Sequence, residues 1–120
     1  MKYMVLIYNN FATYESMPEE ERNAIFAEVD VILKELRESG EFIRGEALAD
    51  AANTKTVRVR DGVRTVTDGP FVEAKEQFAG YIAIDVESPE RALEIAGRWP
   101  DSSFFAVEVR PIMDEAGPEL

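Results

Sequence analysis

Two short stretches that are apolar on both alternating faces do most to limit what this chain can fold into. In residues 3–8, Tyr3, Val5 and Ile7 fall on one side of an extended chain and Met4, Leu6 and Tyr8 on the other. Residues 80–86, Gly-Tyr-Ile-Ala-Ile-Asp-Val, repeat the pattern for most of their length. A strand of this kind is covered on both sides. Both stretches therefore belong in the middle of a sheet with a layer above and a layer below.

Two strong helical patterns are available as cover. Ser16-Met17-Pro18-Glu19 has the spacing of a capping box, with Pro18 early in a helix and Glu19, Glu20 and Glu21 in its first turn. Ile25, Val29, Ile32 and Leu36 then make one apolar stripe, flanked by Phe26 and Leu33, and Gly40 is a natural C-terminal cap. Ser88-Pro89-Glu90 begins a second helix with Ala92, Ile95, Ala96 and Trp99 on one face and Pro100 at its end. Further strands are predicted over residues 41–48, over 56–60 and 63–67 either side of the hairpin signal Asp61-Gly62, and over 104–110 before Pro111. Residues 9–17 read as a loop and 49–53 as a connection.

The order β-α-β-(ββ)-β-α-β predicts an α+β, ferredoxin-like split βαβ with a hairpin inserted between the second and third core strands. Its two helices cover one face of the sheet, so the other face needs a partner. The simplest partner is a second copy about a two-fold axis, and a homodimer is expected. At 120 residues the chain suits one domain, assigned to residues 1–112, with 113–120 as an acidic, frayed tail.

Composition then removes whole classes of chemistry. With no cysteine and no histidine there is no Cys nucleophile, no Ser-His-Asp triad and no thiolate or imidazole metal site. No cofactor and no metal are assigned. Acid–base work falls to Asp, Glu, Lys or Tyr, tuned by burial or neighbours. A net charge of −11 opposes nucleic acid and anionic membrane as partners. No apolar run approaches the roughly 20 residues that span a bilayer, and the apolar start is too short and β-like for a signal peptide. A cytoplasmic location is expected.

The densest group of turn formers and ionisable side chains outside the helices is residues 68–81. Asp68 leads it: it follows a strand, and Gly69-Pro70 forces a sharp turn that would hold its carboxylate at a strand end, facing a cleft. Asp68 could equally close an Asx-turn and do nothing else. Lys75 and Glu76 could line the same cleft or belong to a solvated charge run with Glu73. Glu46 could project into it from the second strand. Tyr8 and Tyr81, at the ends of the central strands, could offer phenols to a ligand or serve as amphipathic core residues. Arg58, Arg60 and Arg64 concentrate positive charge on the hairpin, for an anionic ligand or for ion pairs across the strands or between subunits.

Together, residues 1–8, Gly45-Glu46-Ala47-Leu48, Thr56-Val57-Arg58-Val59, Asp68-Gly69-Pro70-Phe71 with Lys75-Glu76 and Gly80-Tyr81, and the closing residues 106–112 resemble the YCII-related family, and more narrowly its DGPF-domain branch. The resemblance implies a dimeric α+β barrel. It also implies small-molecule chemistry in a cleft at a His–Asp pair, including dehydrohalogenase-like members, and for the branch a regulatory context beside alternative sigma factors. Asp68 takes the place of the Asp; the His has no counterpart in this chain. Two functions follow as expectations. In one, Asp68, partly buried so that its neutral form is favoured, is the acid or base of a cofactor-free proton abstraction, elimination or isomerisation, with Lys75 or Tyr81 polarising the substrate. In the other, the chain is a non-catalytic ligand-binding or regulatory interaction module.

Overall fold

In the computed structural model, which describes residues 1–114 and 117–118, the chain runs through β1 (Lys2–Asn9), α1 (Phe11–Ser16), α2 (Glu19–Ser39) and β2 (Phe42–Ala47). A single 3-10 turn (Ala51–Asn53) leads to β3 (Lys55–Arg60) and β4 (Val63–Asp68), and then to β5 (Gln77–Asp85). After these come α3 (Pro89–Arg98), α4 (Asp101–Phe104), β6 (Ala106–Pro111) and the two-residue strands β7 (Met113–Asp114) and β8 (Gly117–Pro118).

The four longest-range strands form one antiparallel sheet in the order β2-β5-β1-β6. This is the ferredoxin-like α+β arrangement. The doubly apolar strands β1 and β5 take the two central places. Tyr3, Val5 and Ile7 stand opposite Ile84, Ile82 and Gly80 in register, and all six are buried. Ile32 and Leu36 of α2 and Ala92, Ile95 and Ala96 of α3 close over them, with Trp99 at the margin. Val5, Ile32, Leu36, Ile84 and Ile95 are the largest side chains fully removed from water, each worth about 1.5–3 kcal/mol of apolar burial. On the other side of β1, Met4, Leu6 and Tyr8 stay only half-buried. The helices therefore cover one face, and the chain leaves the other partly open.

The hairpin β3–β4 forms its own two-stranded sheet. Asp61 (φ 52°) and Gly62 (φ 76°) are both left-handed, as a two-residue turn between right-twisted strands requires. Gly40 (φ 81°) caps α2 with its N–H on Arg37 and Leu36 carbonyls, and the Ser88 side chain accepts from the Arg91 N–H at the start of α3.

Three local expectations are corrected. Residues 9–17 are not a loop: Asn10 caps α1 by accepting from the Thr13 N–H at 3.3 Å. The capping box at Ser16 does not form, because Ser16 ends α1 and its hydroxyl donates to the Thr13 carbonyl at 2.9 Å; α2 starts without a side-chain cap. The last core strand begins at Ala106 rather than Phe104, since Asp101–Phe104 winds into α4 first. Of the tail expected to fray, residues 113–114 and 117–118 pair as β7 and β8, and residues 115–116 and 119–120 lie outside the described residues. No helix among the described residues is long and apolar enough to cross a membrane.

Candidate functional site: a cleft under the first half of helix α2

The apolar stripe of α2 has two fates. Its second half, Ile32 and Leu36, is fully buried. Its first half, Ile25, Phe26 and Val29, roofs a cavity of about 430 Å³. What differs is the sheet beneath. There β2 and β5 approach each other through glycine: a Cβ on Gly45 would lie 2.7 Å from Ile82 Cγ2 and 2.8 Å from the Tyr81 carbonyl, and one on Gly80 would lie 2.7 Å from the Glu46 carbonyl. Gly45 and Gly80 border a smaller adjoining space, and Ala47 and Ala79 border both, so small residues line the sheet side where the two spaces meet. The smaller space, of about 290 Å³, runs on under Leu33 and Arg37 toward Phe42 and shares Asn9, Phe26, Val29 and Asp101 with the first. The Arg37 guanidinium lies over the Phe42 ring, 5.0 Å from its centroid.

At the inner end sits Asp101, 8% exposed and the one buried charged or polar side chain among the described residues. It opens α4, directly after Pro100. The Tyr14 hydroxyl of α1 donates to its carboxyl, and the Tyr14 ring meets Phe105 edge-on at 5.6 Å. Burial pushes the Asp101 carboxyl above the ordinary carboxylate range, while hydrogen bonds from Tyr14, Trp99 and Asn9 pull the other way. Tyr14 is held well above the usual phenol range, first by burial and then by the Asp101 carboxylate it donates to. Both protonation states of Asp101 thus find support, one from desolvation and one from its donors. Among the described residues it is the buried carboxylate side chain on this cleft.

The residues singled out from sequence scatter around this cleft. Lys75 lines the larger space, and its carbonyl accepts from Asn10 Nδ2 at 3.0 Å. Glu46 and Tyr81 border the smaller one. They stand opposite each other in register, and the Tyr81 hydroxyl lies 3.4 Å from Glu46 Oε2, so this pair belongs to the partly open face of the sheet. Tyr8 is on that face too. Its phenol is raised by its hydrogen bond with Glu108, then by burial, and its ring lies 5.8 Å from Phe78. Glu76 is exposed.

Asp68 departs furthest from expectation. It borders neither space. Its side chain is 85% exposed and pairs with Lys55 across the hairpin, so the partly buried, cleft-facing carboxylate is not there. The turn after it is structural. Gly69, at φ 90°, returns its N–H to the Thr54 carbonyl at 2.8 Å, and the Thr56 hydroxyl donates to the Gly69 carbonyl at 2.8 Å. Asp68-Gly69-Pro70 therefore staples the base of the hairpin. What the sequence reading missed is the pair Asp101 and Tyr14. Asp101 lay between the helix end at Pro100 and the strand expected from residue 104 and drew no assignment, and Tyr14 lay in a stretch read as loop.

Two comparisons bear on this fold and cleft. Residues 1–116 match the family model described as the YCII-related domain. The chain is also 31% identical over 114 residues to an uncharacterised protein of Rhizobium meliloti (strain 1021), an alignment spanning 93% of this chain and 92% of the relative.

Proposed function

The chain belongs to the YCII-related family, and from that premise we propose that it binds a small organic molecule in the cleft under α2 and carries out cofactor-free acid–base chemistry on it. The observation that carries the reading is Asp101, a residue only 8% exposed, lining a cavity of about 430 Å³. Small-molecule sites combine apolar walls with a few convergent polar groups whose protonation is perturbed. Here Phe11, Phe26, Val29 and Phe78 are the walls, and Asp101 with Tyr14 is the polar group. Asp101 takes the proton-transfer role that the sequence assigned to Asp68. Lys75 at the rim attracts or polarises an electron-rich part of the ligand, and Glu46 and Tyr81 border the far end. The protein acts in the cytoplasm without metal or cofactor.

A thermal-shift screen of small organic molecules, followed by calorimetry and product analysis of each hit, tests the reading. A hit that stabilises wild type by mass action, stabilises Asp101→Asn at least tenfold less tightly and emerges chemically changed supports it. A hit recovered unchanged from wild type leaves a binding module, the second reading, which the missing histidine favours. Hits indifferent to both Asp101→Asn and Phe26→Ser remove the cleft from consideration.

The reading includes a homodimer formed through the half-exposed face of the sheet that carries Met4, Leu6, Tyr8 and Tyr81, closing a dimeric α+β barrel. Light scattering at tens of micromolar chain tests it. A monomer there contradicts it.

A further inference from the structure

The hairpin arm β3–β4 is the part of the molecule whose chemistry stays unanswered within one chain. Among the described residues its strands bond to each other and to no third strand, and every residue of β4 is exposed. Val57 and Val66 face each other across the pair and are 57% and 53% exposed, with Val59 beyond them on the same face at 57%; Val63 stands on the other face, with Arg58 and Arg60. A two-stranded hairpin with nothing packed on it is marginal in water, and an apolar cluster of this kind marks a contact surface.

Charge points the same way. Residues 55–68 carry four cations, Lys55, Arg58, Arg60 and Arg64, against Asp61 and Asp68, in a chain whose net charge is −11. Lys55 pairs with Asp68. Arg58 lies over the exposed Phe71 ring, 4.8 Å from its centroid, and Arg60 donates to its own neighbour's carbonyl at 3.0 Å. Among the described residues, none of the three arginines forms a salt bridge. The chain holds 24 carboxylate side chains against 13 lysines and arginines, so the arm is net positive while the rest of the chain is net negative. Arm-to-arm pairing would bring like charges together. Arm-to-body pairing between copies joins opposite ones.

We infer that the β3–β4 arm of one copy docks on the acidic body of a second copy, the face that carries Val57, Val59, Val66 and Arg64 against the surface of α1 and the first half of α2, with Arg58 and Arg60 adding positive charge from the other face. Residues 11–30 hold six carboxylates against one arginine, and Phe11 and Phe26 are 47% and 52% exposed there. That surface supplies both the charge and the apolar area the arm lacks. It also flanks the mouth of the cleft, so the partner's arm would sit beside the ligand site. The inference rests on the homodimer reading and adds to it which parts meet.

Sedimentation equilibrium decides it, with far-ultraviolet circular dichroism confirming that each variant folds. Reversing the arm with Arg58→Glu and Arg64→Glu is expected to weaken the dimer at least about tenfold, and Val57→Ser with Val66→Ser to weaken it too. Reversing the body with Glu20→Lys and Glu21→Lys weakens it likewise, and mixing the two charge-reversed variants restores association, because a reversed arm then meets a reversed body. Folded arm variants that dimerise as tightly as wild type overturn the arm contact and leave the homodimer standing. A monomeric wild type overturns both. A wild type that stays monomeric but sediments with phosphatidylserine vesicles, in a way that Arg58→Glu with Arg64→Glu abolishes, assigns the arm to a membrane instead.

Discussion

The two halves of helix α2 carry the same apolar stripe and end in opposite places. Ile32 and Leu36 are sealed against the sheet. Val29 and Ile25, one and two turns earlier, reach only intermediate burial, and Phe26 is 52% exposed. Nothing in the helix itself explains this, since the residues are of one kind at one spacing. The difference lies below. Ile32 and Leu36 join Tyr3, Val5 and Ile84 in the buried cluster, whereas Phe26 and Val29 border two spaces whose sheet side carries Ala47 and Ala79, with Gly45 and Gly80 beside the smaller one. A helix packed over large side chains becomes core, and the same helix over glycine and alanine becomes the roof of a cleft. Cavity and core here are one continuous interface, distinguished by side-chain volume on the sheet.

The largest test of that contrast compares truncations along the stripe. Leu36→Ala is expected to cost about 2–5 kcal/mol in urea unfolding, as buried leucines do. Val29→Ala should cost less, about 1 kcal/mol, because Val29 packs on the core from one side and borders the cavity on the other. Equal losses would mean that the first half of α2 is packed as core.

A second test alters the floor. Gly80→Ala sets a Cβ 2.7 Å from the Glu46 carbonyl, against backbone that cannot swing aside, and should cost about 1–3 kcal/mol by overpacking. Gly97→Ala, on α3, meets nothing within 4 Å and should be neutral or stabilising by up to about 1 kcal/mol. A Gly80→Ala variant as stable as wild type would show that β2 and β5 can part.

Smaller effects come from the ionisable groups at the two ends. Beside the packed end, Arg91 grips Glu41 with Nε to Oε2 at 2.8 Å and Nη2 to Oε1 at 2.9 Å; the side chains are 25% and 17% exposed. Arg91 holds the Glu41 carboxyl below its ordinary value of 4.5. Its stabilisation is therefore present above that value and fades as pH falls through the lowered one. Glu41→Gln should lose about 1–2 kcal/mol at pH 7, with the gap to wild type closing in acid.

At the cleft end the sign reverses. Asp101 is raised above 3.8 by burial, so its contribution is complete below that value and declines as pH climbs through the raised one. Melting temperatures followed from strong acid toward neutrality should show Asp101→Asn gaining on wild type over that window. The opposite slope would mean that Tyr14, Trp99 and Asn9 outweigh desolvation in the folded protein.

Much of this was readable from the chain. Double-faced apolarity marked residues 3–8 and 80–86 as core strands, and the β-α-β-(ββ)-β-α-β order put both at the sheet centre, where they lie. The Ile32 and Leu36 positions, the Ser88 cap, the Gly40 stop and the Asp61-Gly62 turn are local preferences that the fold then kept. The site was less readable, and for one reason. Asp68 looked like a cleft carboxylate from its turn chemistry, yet exposure depends on where a hairpin points, and this one carries Asp68 out to pair with Lys55. Tyr14 and Asp101 are 87 positions apart and neither has a local signature; they meet because α1 and α4 both close over the same end of the sheet. Periodicity and turn residues, which are properties of neighbours along the chain, determined the strands, the helices and their order. Burial and the convergence of distant side chains depend on every element at once, so the tertiary structure alone decided that the cleft lies under the first half of α2 and that Asp101 is the carboxyl inside it.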